Sequence, residues 1–355
     1  MRQSRKLDHL KYSLALADGP GSSGFADFSL IHNCLPDLAV DDVALSTTVA
    51  GLRLRQPVII NAITGGAVDV TGVNAQLAEV ARECGAALAV GSQYAALENP
   101  AVRDSYQIIR KVNPGGIVFA NLGAHATPTE AARAVEMLAA DAIQIHLNVA
   151  QELFMPEGDR DYRGYLDNIA AIVAASPVPV IVKEVGCGIA REQAAALAAA
   201  GVGAIDVGGR GGTNFVAIEA ARRQDKVAAD FLDWGIPTAV SAVEVAAAVS
   251  SAVDMIVSGG IRSPLDAVKS LAIGGRAVAI AAPLVRRLDE AGLSATICWF
   301  GEFLGDIKRY MVLVGAATVD RLPAVPLVIG GASREWLSAR GIDVAAYATR
   351  REDPK

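Results

Sequence analysis

Residues 144–160 read Gln-Ile-His-Leu-Asn-Val-Ala-Gln-Glu-Leu-Phe-Met-Pro-Glu-Gly-Asp-Arg and begin as a β-strand. Apolar and polar residues alternate along its first positions, so His146 and Asn148 share one face. Gln151 and Glu152 follow where such a strand would end. Polar side chains on one face of an apolar strand each need a partner when they are buried. The stretch therefore predicts a ligand pocket just past the C-terminal end of one strand.

The composition limits the classes of protein to consider. Of the 355 residues, 52% are apolar and 20% charged, and the formal net charge is −6. A large core is available, and a nucleic-acid-binding protein is disfavoured because its domain would be basic. The four cysteines form no C-x-x-C pair, which argues against a zinc site or a disulfide framework. Residues 1–11 are charged, unlike a signal peptide, and the longest apolar run, 194–205, is too short to cross a bilayer. We expect a soluble, cytoplasmic protein.

Eight short runs rich in Val, Ile and Ala alternate with helical segments. They lie at 58–61, 86–91, 117–121, 143–147, 178–183, 204–207, 255–258 and 277–281. Near-continuous apolar strands suit a parallel sheet that is buried on both faces, and eight β-α units predict a (β/α)8 TIM barrel. An open doubly wound sheet is the alternative, although the first βα turn lacks G-x-G-x-x-G. We predict one domain, 1–355, with an N-terminal extension at 1–56, a barrel core at 57–283 and C-terminal helices at 284–355.

Polar side chains recur at the C-terminal ends of these strands, or a few residues beyond them. They are Thr64, Ser92, Asn121, His146, Lys183, Thr213 and Arg262. In a barrel these strand ends form a single mouth, where active sites lie. Turns at 211–213, 259–262 and 281–283 follow strands six, seven and eight, where backbone amides and helix N-termini bind phosphate. Tight turns without a ligand are the alternative, and His146 is compatible with phosphate binding or with a core histidine.

Two charged residues near the mouth have specific candidate roles. Lys183 ends a buried strand, and a buried ammonium needs an anionic or electron-rich partner. The N1–C2=O edge of a flavin would suit it, and a salt bridge inside the barrel, for example to Glu184, is the alternative. Glu152 is the best candidate for an Mg²⁺ ligand, because that ion rarely has a full protein cage. Glu157 and Asp159 are alternative ligands, and Glu152 is also compatible with a plain surface helix position.

Several motifs, taken in order, resemble those of the type 2 isopentenyl-diphosphate isomerases. They are Arg5-Lys6 with His9-Leu10, Asn-Ala-Ile-Thr-Gly-Gly at 61–66, Gly91-Ser92-Gln93, Ala-Asn-Leu-Gly at 120–123, 144–148 with Gln151-Glu152, 155–160, 182–186, 211–215 and 258–262. The set runs through most of the chain, and its order is highly specific. The glycine-rich turns alone would be shared with many flavin barrels.

The resemblance implies an enzyme of isoprenoid biosynthesis. It implies a (β/α)8 barrel that binds FMN and Mg²⁺, needs reduced flavin, typically with NADPH as the reductant, and assembles as a homo-oligomer, a tetramer or octamer. The implied reaction is a 1,3-proton shift between isopentenyl diphosphate and dimethylallyl diphosphate. Because the mouth offers few strong acids apart from Glu152, we expect the reduced flavin to act as acid and base without net redox change.

The resemblance also assigns roles by position. It places FMN against Ala62, Ile63, Thr64, Ser92, Asn121, Lys183, Thr213, Gly260, Ile261, Arg262, Ala281 and Ala282. It places substrate against Arg5, Lys6, His146, Asn148 and Gln151. It assigns Glu152 as the Mg²⁺ ligand and Gln151 and Lys183 as catalytic residues. Arg5 and Lys6 would then belong to a lid over the mouth, whereas composition alone favours solvated terminal charges.

Two positions depart from the family pattern. Tyr94 follows Gln93 where many members carry Arg, which removes one positive contact to the diphosphate. Gly208 stands where some members have a Ser beside the flavin phosphate, and a backbone amide could replace that hydroxyl.

Three other functions are alternatives to an isomerase: a flavin oxidase, a barrel with a cysteine nucleophile, and a flavin-binding protein without catalysis. An FMN-dependent oxidase of 2-hydroxy acids would need a base, and no histidine adjoins the glycines after strand six. A barrel similar to IMP dehydrogenase would use Cys187 as nucleophile, yet Cys187 follows strand five and has no basic neighbour. A flavin-binding scaffold without catalysis would be favoured by loss of Lys6, Gln151 or Glu152, and all three are present.

Overall fold

The computed structural model describes residues 10–224, 226–249 and 252–350. Eight parallel strands close into a barrel, and we number them one to eight in chain order. They are Val58–Ile60, Ala87–Ala89, Val118–Gly123, Ala142–Leu147, Val180–Glu184, Ala204–Asp206, Asp254–Ser258 and Ala277–Ile280. Strand eight pairs with strand one, with Ile280 opposite Ile60. This closure confirms the predicted TIM barrel and excludes the open sheet.

At least one helix follows each strand. The longer ones are Thr71–Cys84, Asp104–Val112, Pro128–Leu138, Tyr165–Ala175, Arg191–Ala199, Phe215–Arg223, Thr238–Ala248, Pro264–Ile273 and Ala282–Leu313. The shorter ones are Tyr94–Glu98, Val149–Phe154 and Ala229–Leu232, with Gly331–Ala339 and Val344–Ala348 near the C-terminus. Thr127 caps the helix that begins at Pro128 and forms a capping box with Glu130. Ala282–Leu313 is broken at Gly292, whose φ is 77°.

The N-terminal extension contains strands that its sequence pattern did not predict. Thr47–Val49 and Leu52–Leu54 form an antiparallel hairpin. Val49 and Leu54 belong to the same apolar cluster as the inward-facing residue Ile59. The Ala50 amide donates to the Asp254 carboxylate at the start of strand seven. The hairpin therefore closes the barrel at the end opposite the mouth.

Residues that are far apart in the sequence pair with one another and with a helix of the barrel. Phe28–Leu30 pairs antiparallel with Leu327–Ile329. Near the C-terminus, Trp336 Nε1 and Arg340 Nε donate to the Glu244 carboxylate at 3.0 and 2.9 Å. Within the described ranges, no helix combines the length and apolar character needed to cross a membrane.

Candidate active site

A cavity of about 330 Å³ opens at the C-terminal ends of the barrel strands. The predicted site residues in its wall are Ala62, Ile63, Ser92, Asn121, His146, Asn148, Gln151, Glu152, Lys183, Thr213, Gly260, Ile261, Ala281 and Ala282. The side chains of Thr64 and Arg262 lie outside that wall. The Thr64 hydroxyl donates to Asn74 Oδ1 at 2.9 Å, and the Arg262 guanidinium donates to the Gly211 carbonyl. Arg5 and Lys6 lie outside the described residues.

Both oxygens of the Glu152 carboxylate are oriented by neighbouring groups. Asn148 Nδ2 donates to Oε1 at 2.8 Å, and the Asp159 amide donates to Oε2 at 3.0 Å. The loop after this helix is folded back by Arg160, which donates to the carbonyl of Met155 at 2.6 Å. Nowhere in the described ranges do three or more His, Cys, Asp or Glu side chains form a metal-binding group. Glu152 would therefore hold a metal as a single protein carboxylate, as Mg²⁺ allows.

Gln151 contacts a carboxylate that the sequence analysis missed. Its Nε2 donates to Glu219 Oε1 at 3.1 Å, and Glu219 is fully buried on the helix Phe215–Arg223. Arg222 pairs with Glu219 and, at 3.2 Å, with Glu157. Asn148 Nδ2 lies 3.3 Å from Gln151 Oε1, so both ends of the Gln151 amide have partners. The segment 215–223 was not predicted as a helix, and a Glu on the apolar face of such a helix is the signal that could have indicated this pair.

Lys183 takes part in a salt bridge inside the barrel, and its partner is Asp206. The Lys183 ammonium lies 3.3 Å from Asp206 Oδ2 and donates to the backbone carbonyl of Glu184 at 2.9 Å. Asp206 is completely buried and also accepts from Asn61 Nδ2 at 3.0 Å and from the Ser258 hydroxyl. The salt bridge expected as the alternative role of Lys183 is therefore present, with Asp206 in the place expected for Glu184.

A chain of amides connects Asp206 to His146 across the floor of the cavity. Gln144 Nε2 donates to Asn61 Oδ1 at 3.3 Å, and Asn121 Nδ2 donates to Gln144 Oε1 at 3.0 Å. His146 Nδ1 lies 2.9 Å from Asn121 Oδ1. Since that oxygen can only accept, Nδ1 carries the hydrogen, and the tautomer of His146 is fixed.

The turns after strands six and seven interlock through backbone atoms. A Cβ on Gly212 would lie 2.5 Å from the Gly260 nitrogen, and one on Gly259 would lie 2.1 Å from the Gly209 oxygen. The amides of Gly260 and Ile261 make no hydrogen bond within the described part of the chain. Closely packed glycine backbone with unused N–H groups at a cavity wall is suited to bind an anion.

Gly208 is required by the packing of this particular backbone. Its φ is 46°, and a Cβ there would lie 1.8 Å from the Glu184 carbonyl oxygen. A Ser at this position would therefore not fit here without a shift of the turn.

Glu184 holds the turn after strand five and is a titratable group near neutrality. Its Oε2 accepts from the amides of Gly186 at 2.7 Å, Cys187 and Gly188 at 3.2 Å. Burial raises the pKa of Glu184 to about 7. The hydrogen bonds and the charge of Lys183 act in the opposite direction and lower this pKa, but burial is the larger effect. Burial also raises the pKa of Cys187 to about 12, which argues against a reactive thiolate near neutral pH and against the role of nucleophile.

The raised pKa of Glu184 predicts how stability depends on pH. Its usual value is 4.5, so between about pH 4.5 and 7 the folded chain holds a proton that the unfolded chain releases. Stability from this group therefore falls as the pH rises through that window. Relative to Glu184→Gln, the free energy of unfolding of the wild type should fall by roughly 3 kcal/mol between these pH values. Denaturant unfolding across the window measures this, with the exposed Glu335→Gln as the control, and parallel profiles for wild type and Glu184→Gln would contradict it.

Comparison with known proteins first defines the class of barrel. Residues 118–327 match the family of FMN-dependent dehydrogenases. A structure of mandelate oxidase with (S)-2-phenylpropionate superposes with a TM-score of 0.67 at 21% identity, covering 93% of this chain and 97% of that one. At this identity the likeness concerns the fold. The fold and the cavity thus define a barrel of the FMN-dependent dehydrogenase class.

Sequence relatives then define the family within that class. The isopentenyl-diphosphate delta-isomerase of Symbiobacterium thermophilum is 50% identical over 362 aligned positions, covering 99% of both chains. The isopentenyl-diphosphate delta-isomerase of Geobacillus sp. (strain WCH70) is 49% identical, covering 98% of this chain and 99% of its own. This chain belongs to the isopentenyl-diphosphate delta-isomerase family.

Proposed function

We propose that the protein interconverts isopentenyl diphosphate and dimethylallyl diphosphate by a 1,3-proton shift, as an enzyme of isoprenoid biosynthesis. The observation that carries this proposal is the arrangement after strand four. There the oriented Glu152 carboxylate adjoins the amide of Gln151, which is held by the buried Glu219. The full-length similarity to isopentenyl-diphosphate delta-isomerases supports the same conclusion.

The other side of the cavity fits FMN. The unused amides of Gly260 and Ile261, with the glycine backbone around them, would hold its phosphate. Lys183 would place positive charge at the edge of the ring, where reduced flavin is electron-rich. Bound and reduced, FMN would supply an acid–base group at N5.

The residues near strand four would bind and orient the substrate. Glu152 would hold Mg²⁺ against the diphosphate, which neutralises charge and fixes the position of the reacting carbons. His146 would donate to the diphosphate when protonated, and Asn148 and Gln151 would line the adjoining wall. Because Gln151 is hydrogen-bonded at both ends, its amide would keep one orientation throughout the reaction.

Several further features of the family extend the proposal. We propose that Arg5 and Lys6, which lie outside the described residues, contact the diphosphate of the substrate. NADPH would reduce the flavin. The chain would form one domain, act in the cytoplasm and assemble as a homo-oligomer, a tetramer or octamer.

A direct assay tests the central proposal. Purified yellow protein, incubated anaerobically with isopentenyl diphosphate, Mg²⁺ and NADPH, should produce dimethylallyl diphosphate. If this product is absent, the proposal is wrong. Formation of peroxide from mandelate under air would favour a 2-hydroxy-acid oxidase instead. Protein reconstituted with 5-deaza-FMN should be inactive, and turnover at the normal rate would exclude the acid–base role of N5.

A further inference from the structure

The substrate half of the cavity contains little positive charge within the described residues. The lining side chains that can be cationic are Lys183, His125 and His146. Lys183 is already paired with Asp206 at 3.3 Å. The same half of the wall contains three carboxylates, Glu152, Glu157 and Asp159. A diphosphate bound here needs charge-assisted donors, and besides a metal on Glu152 the histidines are the candidates that remain.

His125 lines the cavity wall and is held there by packing against Tyr94. It lies between strand three and the helix Pro128–Leu138, and its ring lies 4.8 Å from that of Tyr94, centroid to centroid. Tyr94 is fixed in turn by its hydroxyl, which donates to Glu130 Oε1 at 2.9 Å. His125 Nδ1 is 3.9 Å from Asp159 Oδ2, beyond hydrogen-bond distance, and the side chain is 41% exposed.

Gly123, at the end of strand three, allows two imidazoles to approach each other. A Cβ on Gly123 would lie 2.7 Å from His125 Cε1 and 3.3 Å from His146 Nε2. Both rings therefore border the same small space, and any larger residue at this position would displace His125. A solvated surface histidine would not need a buried glycine beneath it or an anchored tyrosine ring beside it.

We propose that His125 is a second substrate-binding histidine, which donates together with His146 to the diphosphate oxygens. This inference rests on the proposed function and adds a residue to its substrate site. Tyr94 is neutral and already hydrogen-bonded to Glu130, so it cannot supply the positive contact that an Arg at its position would give. His125, stacked on Tyr94, supplies a donor on the same wall.

The variant His125→Phe tests this directly, because it keeps the ring stacked on Tyr94 and removes both nitrogens. The KM for isopentenyl diphosphate and the Ki of inorganic pyrophosphate should each rise about 10- to 100-fold, the range for a charge-assisted hydrogen bond. The value of kcat should change less than about 3-fold, because the contact is the same in the ground and transition states. The Kd of FMN should stay unchanged. His32→Gln, an exposed histidine outside the cavity, is the matched control and should leave all four values unchanged.

Two more variants keep the test decisive if His125→Phe does not fold. His125→Gln retains one donor and should raise KM by a smaller factor, and Gly123→Ala should raise KM by displacing His125. This inference alone would be overturned if the wild type turns over and His125→Phe leaves KM and Ki unchanged. Unchanged values in both His125→Gln and Gly123→Ala would have the same meaning. If the wild type makes no dimethylallyl diphosphate, the proposed function fails and this inference fails with it.

Discussion

Glu152→Gln is expected to lower kcat/KM for isopentenyl diphosphate by at least about 100-fold while FMN remains bound. The amide oxygen of Gln can still accept from Asn148, so the local fold should be kept. The negative charge that would hold Mg²⁺ is lost, and the diphosphate would no longer be neutralised or positioned. Kinetics over a titration of Mg²⁺ measure the effect, and the visible flavin spectrum reports on cofactor binding.

Glu157→Gln is the matched control, since Glu157 lines the same cavity and pairs with Arg222 at 3.2 Å. Its activity should stay within about 3-fold of the wild type, as expected for a partly exposed ion pair. If Glu157→Gln loses activity and Glu152→Gln keeps full activity at low Mg²⁺, then Glu157 and not Glu152 is the metal ligand. Loss of flavin from Glu152→Gln would show that the residue acts on the fold.

Asp206→Asn is expected to cost about 3 to 5 kcal/mol of folding stability, the range for breaking a buried ion pair. The Lys183 ammonium would remain buried without its carboxylate. The new amide group would also meet donors from Asn61 or Ser258, which now share the Asp206 oxygens. Denaturant unfolding of the apoprotein measures the loss, and the Kd of FMN should rise because Lys183 is no longer held in place.

Two variants separate the charge effect from general damage. Lys183→Met combined with Asp206→Asn removes both charges and should recover part of the lost stability, because no ion is left unpaired. Asp306→Asn breaks the exposed pair with Arg309 and should cost less than about 1 kcal/mol. A loss of that same small size in Asp206→Asn would mean that the buried pair contributes no more than a surface one.

Elements with local signals were predicted closely. The runs predicted at 58–61 and 277–281 form the strands Val58–Ile60 and Ala277–Ile280, within one residue of the predicted bounds, because a short apolar run marks a buried parallel strand. Phe28–Leu30 was missed because its partner, Leu327–Ile329, lies at the other end of the chain. A strand of three residues is too short to show a recognisable alternation of apolar and polar residues without that partner.

The candidate site shows the same division between local and distant information. His146, Asn148, Gln151 and Glu152 were selected from one alternating strand and its end, and all four line the cavity. Glu219 was missed because its contact with Gln151 joins two helices that are far apart in sequence. His125 was missed because its stacking on Tyr94 likewise depends on how the loop after strand three packs against the helix Tyr94–Glu98.

Sequence alone determined the barrel, the order of its strands and the end at which polar groups gather, since each of these follows from the spacing of apolar runs. Only the tertiary structure decided which carboxylate neutralises the ammonium of Lys183. Neighbours along a strand point to opposite faces, so Glu184 cannot share the interior with Lys183. Asp206 stands directly opposite Lys183 in the parallel pairing of strands five and six, and both side chains therefore enter the same face. That register is a property of the closed barrel, because it depends on how separate strands align.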